Sequence, residues 1–487
     1  MKVAHGAPLE LSATVIAKIR ESHARAQTFV DSPDARVYGL TTGVGALADT
    51  IIPAKKRRDA SRQIVKSHAA AYGDTLGKVE TRAIMAAAIN NYCLGYSGIR
   101  LEMVQQLVGM LNHDVIPAVR DSGSIGYLSH MAQVGLGAIG DGPLFMKGVK
   151  MTGAEALQKV GMKPLVLEAG EGLSMVQGTP CVTGLACVAL EKLENTFQWS
   201  LAVSSMTFEL LGGQLRSLDS RSLNLRKGGH LDVVGAEMTQ WLHKSDMIAP
   251  SQGKKTQDAL SLRTIPALLG VTLEFLGHLK NALGDELKSA TDNPAINGTV
   301  DNPEVWSHSH AVATRLSMHL DSCAIPLASM ANQSDARIKR LLMSSETKLR
   351  AFLGDEDGKS GLMLIDYVMR RMVEGIKTCA IPASIAGGMT SGIQEDFLVY
   401  ATPSAEKLLK SAELLERAMA LELLVVCQAY RLKEKIPDAP KPSPNIAKLV
   451  DAMKQAGMKL YDDEEALYEA IDKAVEVVQS MKPKDVL

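Results

Sequence analysis

Aromatic side chains are scarce in this chain. Tryptophan, tyrosine and phenylalanine make up 4% of its 487 residues, while hydrophobic residues reach 46%. That balance, with its many Ala, Leu and Met, favours helices over a β architecture. Surplus charge is missing too. A net charge of −1 offers no basic field to nucleic acid and no acidic solvating tail. No apolar run approaches the roughly 18 residues that a membrane span needs. The opening residues Met1–Pro8 lack the apolar stretch of a signal peptide, so a cytoplasmic protein is expected. Six cysteines, Cys93, Cys181, Cys187, Cys323, Cys379 and Cys427, show no paired metal-ligand spacing. They read as buried free thiols, and no metal site is expected. P-loop, His-Glu-x-x-His and nucleophile-elbow motifs are absent.

What is present is long helical periodicity. Between Thr402 and Tyr430, apolar residues recur at Leu408, Ala412, Leu415, Met419, Leu423 and Val426. Thr402 suits an N-cap and Pro403 a first helical position. Similar stretches fall near 185–212, 260–290, 310–345 and 360–380. The fold class expected is all-α, with a long central helical bundle shared between subunits. Residues 1–185 read as an N-terminal region of active-site loops and 186–434 as the bundle. A stiff linker, Ile436–Pro444, leads to a C-terminal helical segment at 445–487. Gly135-Leu-Gly-Ala-Ile-Gly140 matches a dinucleotide fingerprint literally. It ends a helical pattern instead of following a strand, so close helix packing is the better reading.

Several motifs remain. Tyr38-Gly-Leu-Thr-Thr-Gly-Val-Gly45 is a glycine-rich loop that can lie close to a ligand. Its phenol can act as a base if its pKa is drawn down from about 10; a tyrosine packed on the core is the plainer alternative. Ser67-His68 opens a second block, and His68 can orient a substrate or serve as a hydrogen-bonded structural histidine. Further blocks are Glu171–Pro180, Gln257–Arg263, Glu286–Pro294 and Pro382–Asp396. Between Asp121 and Gly142, Gly123-Ser-Ile-Gly126 runs directly into Tyr127-Leu-Ser-His.

In this order, from about Leu9 to Tyr430, the blocks resemble the aromatic amino acid lyases, the histidine ammonia-lyase family. There, Gly-Ser-Val-Gly is followed by Ala-Ser-Gly, which cyclises into a methylidene-imidazolone electrophile. Here both flanks match and the triad is missing. The resemblance implies Tyr38 as the base for the β-proton, with His68 beside the reacting carbons. Arg263 and Asn293 would hold the substrate carboxylate. Gln257 belongs to the arginine's motif, and Gln177 replaces an asparagine that steadies the electrophile and amine. Leu260 and Pro180 replace two further residues of that machinery. Glu395 matches the glutamate that reads an imidazole in the histidine-specific branch. Lys377 matches a pocket lysine, and Lys288 departs from the pattern without an assignment.

A substrate whose nitrogen is already quaternary needs no electrophile. The resemblance therefore implies elimination of trimethylamine from an imidazole betaine such as ergothioneine, with no cofactor. Lys377 would face the thione. Tyr127 either meets the quaternary ammonium or fills the space of the triad. Hercynine as substrate, or an inactive paralogue, are the alternatives. The family's tetramers, whose sites combine loops from three subunits, imply a homotetramer; neither nucleic acid nor membrane is expected as a partner.

Overall fold

The computed structural model describes residues 1–486 and is dominated by helices. The longest are Pro180–Leu210, Ile265–Glu286, Thr314–Leu341 and Ala401–Glu434. Each lies where apolar periodicity predicts one. The stretch expected near 260–290 is divided: a short turn, Leu260–Arg263, precedes Ile265–Glu286. Strands are short and form three antiparallel patches. Tyr72–Thr75 pairs with Arg120–Ser122, Val115–Pro117 with Leu144–Met146 and then Val149–Met151, and Ala295–Gly298 with Pro303–Trp306. Among the described residues, no helix is long and apolar enough to cross a membrane.

The chain divides into two compact units. The first comprises Met1–Ala189, Lys280–Asp321 and Pro382–Glu406; the second comprises Leu190–Leu279, Ser322–Ile381 and Lys407–Leu487.

In the second unit, every residue of the helix Ala401–Glu434 from Ala418 to Tyr430 is buried. A stretch buried on all sides belongs in the middle of a bundle. One acid, Glu422, lies in that stretch. Glu422 takes a bidentate pair of bonds from Arg337, at 2.7 Å to each oxygen. Thr207 and Ser334 donate to the same carboxylate at 2.8 and 2.6 Å. The buried charge is thereby fully partnered, and three long helices are fixed in register around it. The segment after the proline-rich linker forms the helices Pro444–Gln455 and Leu467–Ser480.

In the first unit, the expected packing role of Gly135 and Gly137 is seen directly. Both lie in the helix Ser129–Ala138. A Cβ on Gly135 would stand 2.5 Å from Met175 Cγ, and one on Gly137 would stand 2.6 Å from Leu144 Cδ2. Both are closer than real Cβ atoms come, so glycine at these positions admits the neighbouring side chains.

Candidate active site

The first unit contains a cavity of about 920 Å³. Tyr38, His68, Tyr127, Gln177, Asn293 and Glu395 all line it. These six come from six separate parts of the chain, and local chemistry explains how each is brought in.

Tyr38 starts a loop that folds back on itself. The backbone N–H of Gly45 donates to the Tyr38 phenol oxygen at 2.9 Å. Gly45 has φ +58°, and a Cβ there would stand 2.2 Å from Ser391 Oγ. The glycine lets this loop touch the loop that carries Glu395. That second loop is closed by Thr390 N–H donating to the Glu395 carbonyl at 3.0 Å. Burial raises the Tyr38 pKa above its ordinary value; the Gly45 bond opposes this, and the Glu395 charge adds to it. The expected lowering is therefore not supplied by this chain alone. No lysine or arginine lines the cavity among the described residues.

His68 ends the helix Arg57–His68. Its Nδ1 lies 2.8 Å from the Ile64 carbonyl, which assigns the proton to Nδ1 and leaves Nε2 an acceptor. Gln177 is buried at the end of a turn anchored by Glu171. That acid accepts from Arg100 Nε at 2.9 Å and Nη2 at 2.7 Å. Asn293 follows Asp292, which accepts from Asn91 at 2.7 Å. Thr179 N–H donates to Thr291 Oγ1 at 3.1 Å and joins the Gln177 and Asn293 segments. Burial pushes the Asp292 carboxyl up to about 7.

Tyr127 occupies the junction that distinguishes the sequence. The turn is pinned by Thr402 Oγ1, which donates to the Gly126 carbonyl at 2.6 Å, and by a bond from Ser124 Oγ to the Tyr127 carbonyl. Leu128 has φ +91°, a left-handed strain at the start of the next helix. Burial raises the Tyr127 phenol pKa, with the neighbouring Glu395 carboxylate and Tyr38 adding to the shift. A cyclised Ala-Ser-Gly group does not fit these residues. The Gly126 peptide joins a bulky phenol directly, and that phenol lies beside Glu395.

Gln257, Arg263 and Lys377 belong to the second unit and do not line this cavity. With the Gln257 amide turned so that its oxygen faces the guanidinium, Arg263 donates to it at 2.7 Å. Lys377 pairs with Glu374 at 3.0 Å on an exposed helix face. Two features escape local sequence reading. His308 also lines the cavity. Outside the cavity lining, Glu406 lies 3.7 Å from His130 Nε2, and burial raises its carboxyl to about 7. Neither sits in a motif with a mechanistic spacing.

The family model described as aromatic amino acid lyase matches residues 1–455. A probable histidine ammonia-lyase of Thermoplasma acidophilum is 29% identical over 480 residues, covering 98% of this chain and 94% of that protein. The crystal structure of histidine ammonia-lyase from Trypanosoma cruzi superposes with a TM-score of 0.89 at 27% identity, covering 99% of this chain and 90% of that one. A Treponema denticola structure described as the ergothioneine-degrading enzyme ergothionase has a TM-score of 0.89 at 21% identity, covering 100% and 96%. At that identity the last likeness speaks for the fold alone.

Proposed function

The chain belongs to the aromatic amino acid lyase family, a family of carbon–nitrogen lyases, and we propose that it acts as an ergothionase. In this reading it eliminates trimethylamine from ergothioneine, giving thiolurocanate, without a methylidene-imidazolone. The observation that carries the proposal is the direct Gly126–Tyr127 junction, where the pattern that the chain resembles has Ala-Ser-Gly.

A primary amine leaves poorly and is helped by an electrophile. A trimethylammonium group has no lone pair to capture, and it departs as a neutral amine. The protein then needs a base, a grip on the carboxylate and a reader for the ring. Tyr38 takes the β-proton, the C–H electrons form the Cα–Cβ double bond, and the C–N bond breaks. Glu395 accepts from the ring N–H. The walls of the cavity suit a permanent cation: Tyr38 and Tyr127 offer aromatic faces, Glu395 offers negative charge, and no lysine or arginine opposes it among the described lining residues. The positive charge needed to draw a proton from Cβ onto Tyr38 is then the substrate's own. Arg263 and Lys377 reach the carboxylate and the thione from other subunits of a homotetramer.

A second reading keeps the ring and drops the sulfur. Lys377, the candidate for the thione, lies outside the cavity of a single chain, so hercynine remains a competing substrate. The test is initial rates on ergothioneine, hercynine and histidine, followed by ultraviolet absorbance of the urocanate-type product. Preference for ergothioneine supports the first reading, and equal turnover of hercynine selects the second. Fast turnover of histidine with ammonia release rules out both.

A further inference from the structure

We propose that His308 is a positioning residue that donates a hydrogen bond from Nε2 to the substrate carboxylate, alongside Asn293. The proposal rests on the imidazole-betaine reading and adds to it which end of the substrate lies where.

Local hydrogen bonds set the state of both side chains. The backbone N–H of His308 donates to Asn293 Oδ1 at 2.9 Å. The amide oxygen of Asn293 is thereby committed, and its NH₂ group is left to face a ligand. The backbone N–H of His310 donates to His308 Nδ1 at 3.3 Å. Nδ1 is then the acceptor, and the proton of a neutral ring sits on Nε2.

The ring is held in place by stacking on His310, with centroids 3.9 Å apart and planes 19° apart. Burial and the neighbouring His310 lower the His308 pKa, which favours this neutral form. Yet Nε2 is shielded from solvent and has no hydrogen-bond partner among the described residues. An N–H left bare in this way is costly unless something accepts from it.

Both side chains line the same cavity as Glu395 and Tyr127. Their donors give the cavity one kind of chemistry, and the Glu395 carboxylate beside Tyr127 gives it the complementary kind. An imidazole betaine has matching ends, a carboxylate that accepts and a ring N–H that donates. The hairpin Ala295–Gly298/Pro303–Trp306 explains how the chain returns His308 to Asn293, 15 positions earlier.

The experiment is calorimetric titration of the full-length protein with two probes, imidazole-4-acrylate and 4-methylimidazole. The first carries the carboxylate and the second lacks it. His308→Leu is expected to weaken imidazole-4-acrylate roughly tenfold or more, as for loss of a hydrogen bond to a charged group, and to leave 4-methylimidazole unchanged. His308→Gln, which restores an N–H at similar reach, should recover most of the affinity. Unchanged acrylate binding in His308→Leu overturns the assignment, and so does equal weakening of both probes, which would mark a purely structural ring. If the unaltered protein binds neither probe, the imidazole reading itself fails, and this assignment falls with it.

Discussion

Tyr38 is shifted away from the state in which a base works. Its phenol is held up by burial and by the Glu395 charge in the unliganded chain. Because kcat/KM reports groups of the free enzyme, its rising limb should extend to alkaline pH, continuing upward from about pH 7 to beyond 9. A plateau already reached near neutrality would mean that another group takes the proton, or that a partner subunit lowers this one. Tyr38→Phe should cost at least ~10²-fold in kcat, the usual consequence of losing a general base; near-normal turnover in a single-turnover assay would reject Tyr38 as the base. Asp292 tests the electrostatics independently of catalysis. Its carboxyl holds a proton in the fold up to about 7, against 3.8 ordinarily. Between those values the folded chain binds a proton that the unfolded chain releases, so stability contributed by this group falls as pH rises. Asparagine cannot ionise and keeps the acceptor that faces Asn91. Denaturant unfolding at about pH 5 and pH 8 should therefore show Asp292→Asn gaining on the unaltered protein at the higher pH.

At the scale of elements, the helices were legible and their uses were not. The apolar repeat from Leu408 to Val426 marks the longest helix, and all six of its residues are buried. Thr402, which reads as a cap, instead lies within the helix Ala401–Glu434 and donates to the Gly126 carbonyl, 276 positions away. No local pattern encodes a partner at that separation. The same holds for His308, which meets Asn293 only because a hairpin returns the chain. By contrast, the loops of Tyr38 and Glu395 could be read, since glycine spacing and motif order are local properties. Glu422 is the clearest energetic prediction here. Replacing it with alanine leaves the Arg337 guanidinium buried and unpaired, at a cost of about 3–5 kcal/mol. Equilibrium unfolding should show that loss, whereas replacing both residues with apolar ones of similar volume should recover much of it.

For the whole molecule, Arg263 and Lys377, offered for the carboxylate and the thione, do not line the cavity of one chain. Several large apolar side chains in or beside the motifs of Arg263 and Glu395 are exposed: Leu260 at 61%, Met389 at 71%, Ile393 at 76% and Phe397 at 76%. Contiguous exposed apolar groups are a feature of interaction surfaces. If sites are completed between subunits, Tyr38→Phe and Arg263→Ala chains are each impaired alone. Co-assembled in one oligomer, they should regain a measurable fraction of activity, because some sites then combine two intact contributions. No recovery in verified mixed oligomers would place the whole site within one chain. The central claim concerns the leaving group, and mass spectrometry of a reaction with ergothioneine tests it most directly. The account predicts one trimethylamine for each thiolurocanate formed, on a polypeptide whose intact mass shows no internal dehydration. Ammonia released from histidine at a comparable or greater rate, or a polypeptide lighter by the water lost in forming a cyclised group, would contradict it.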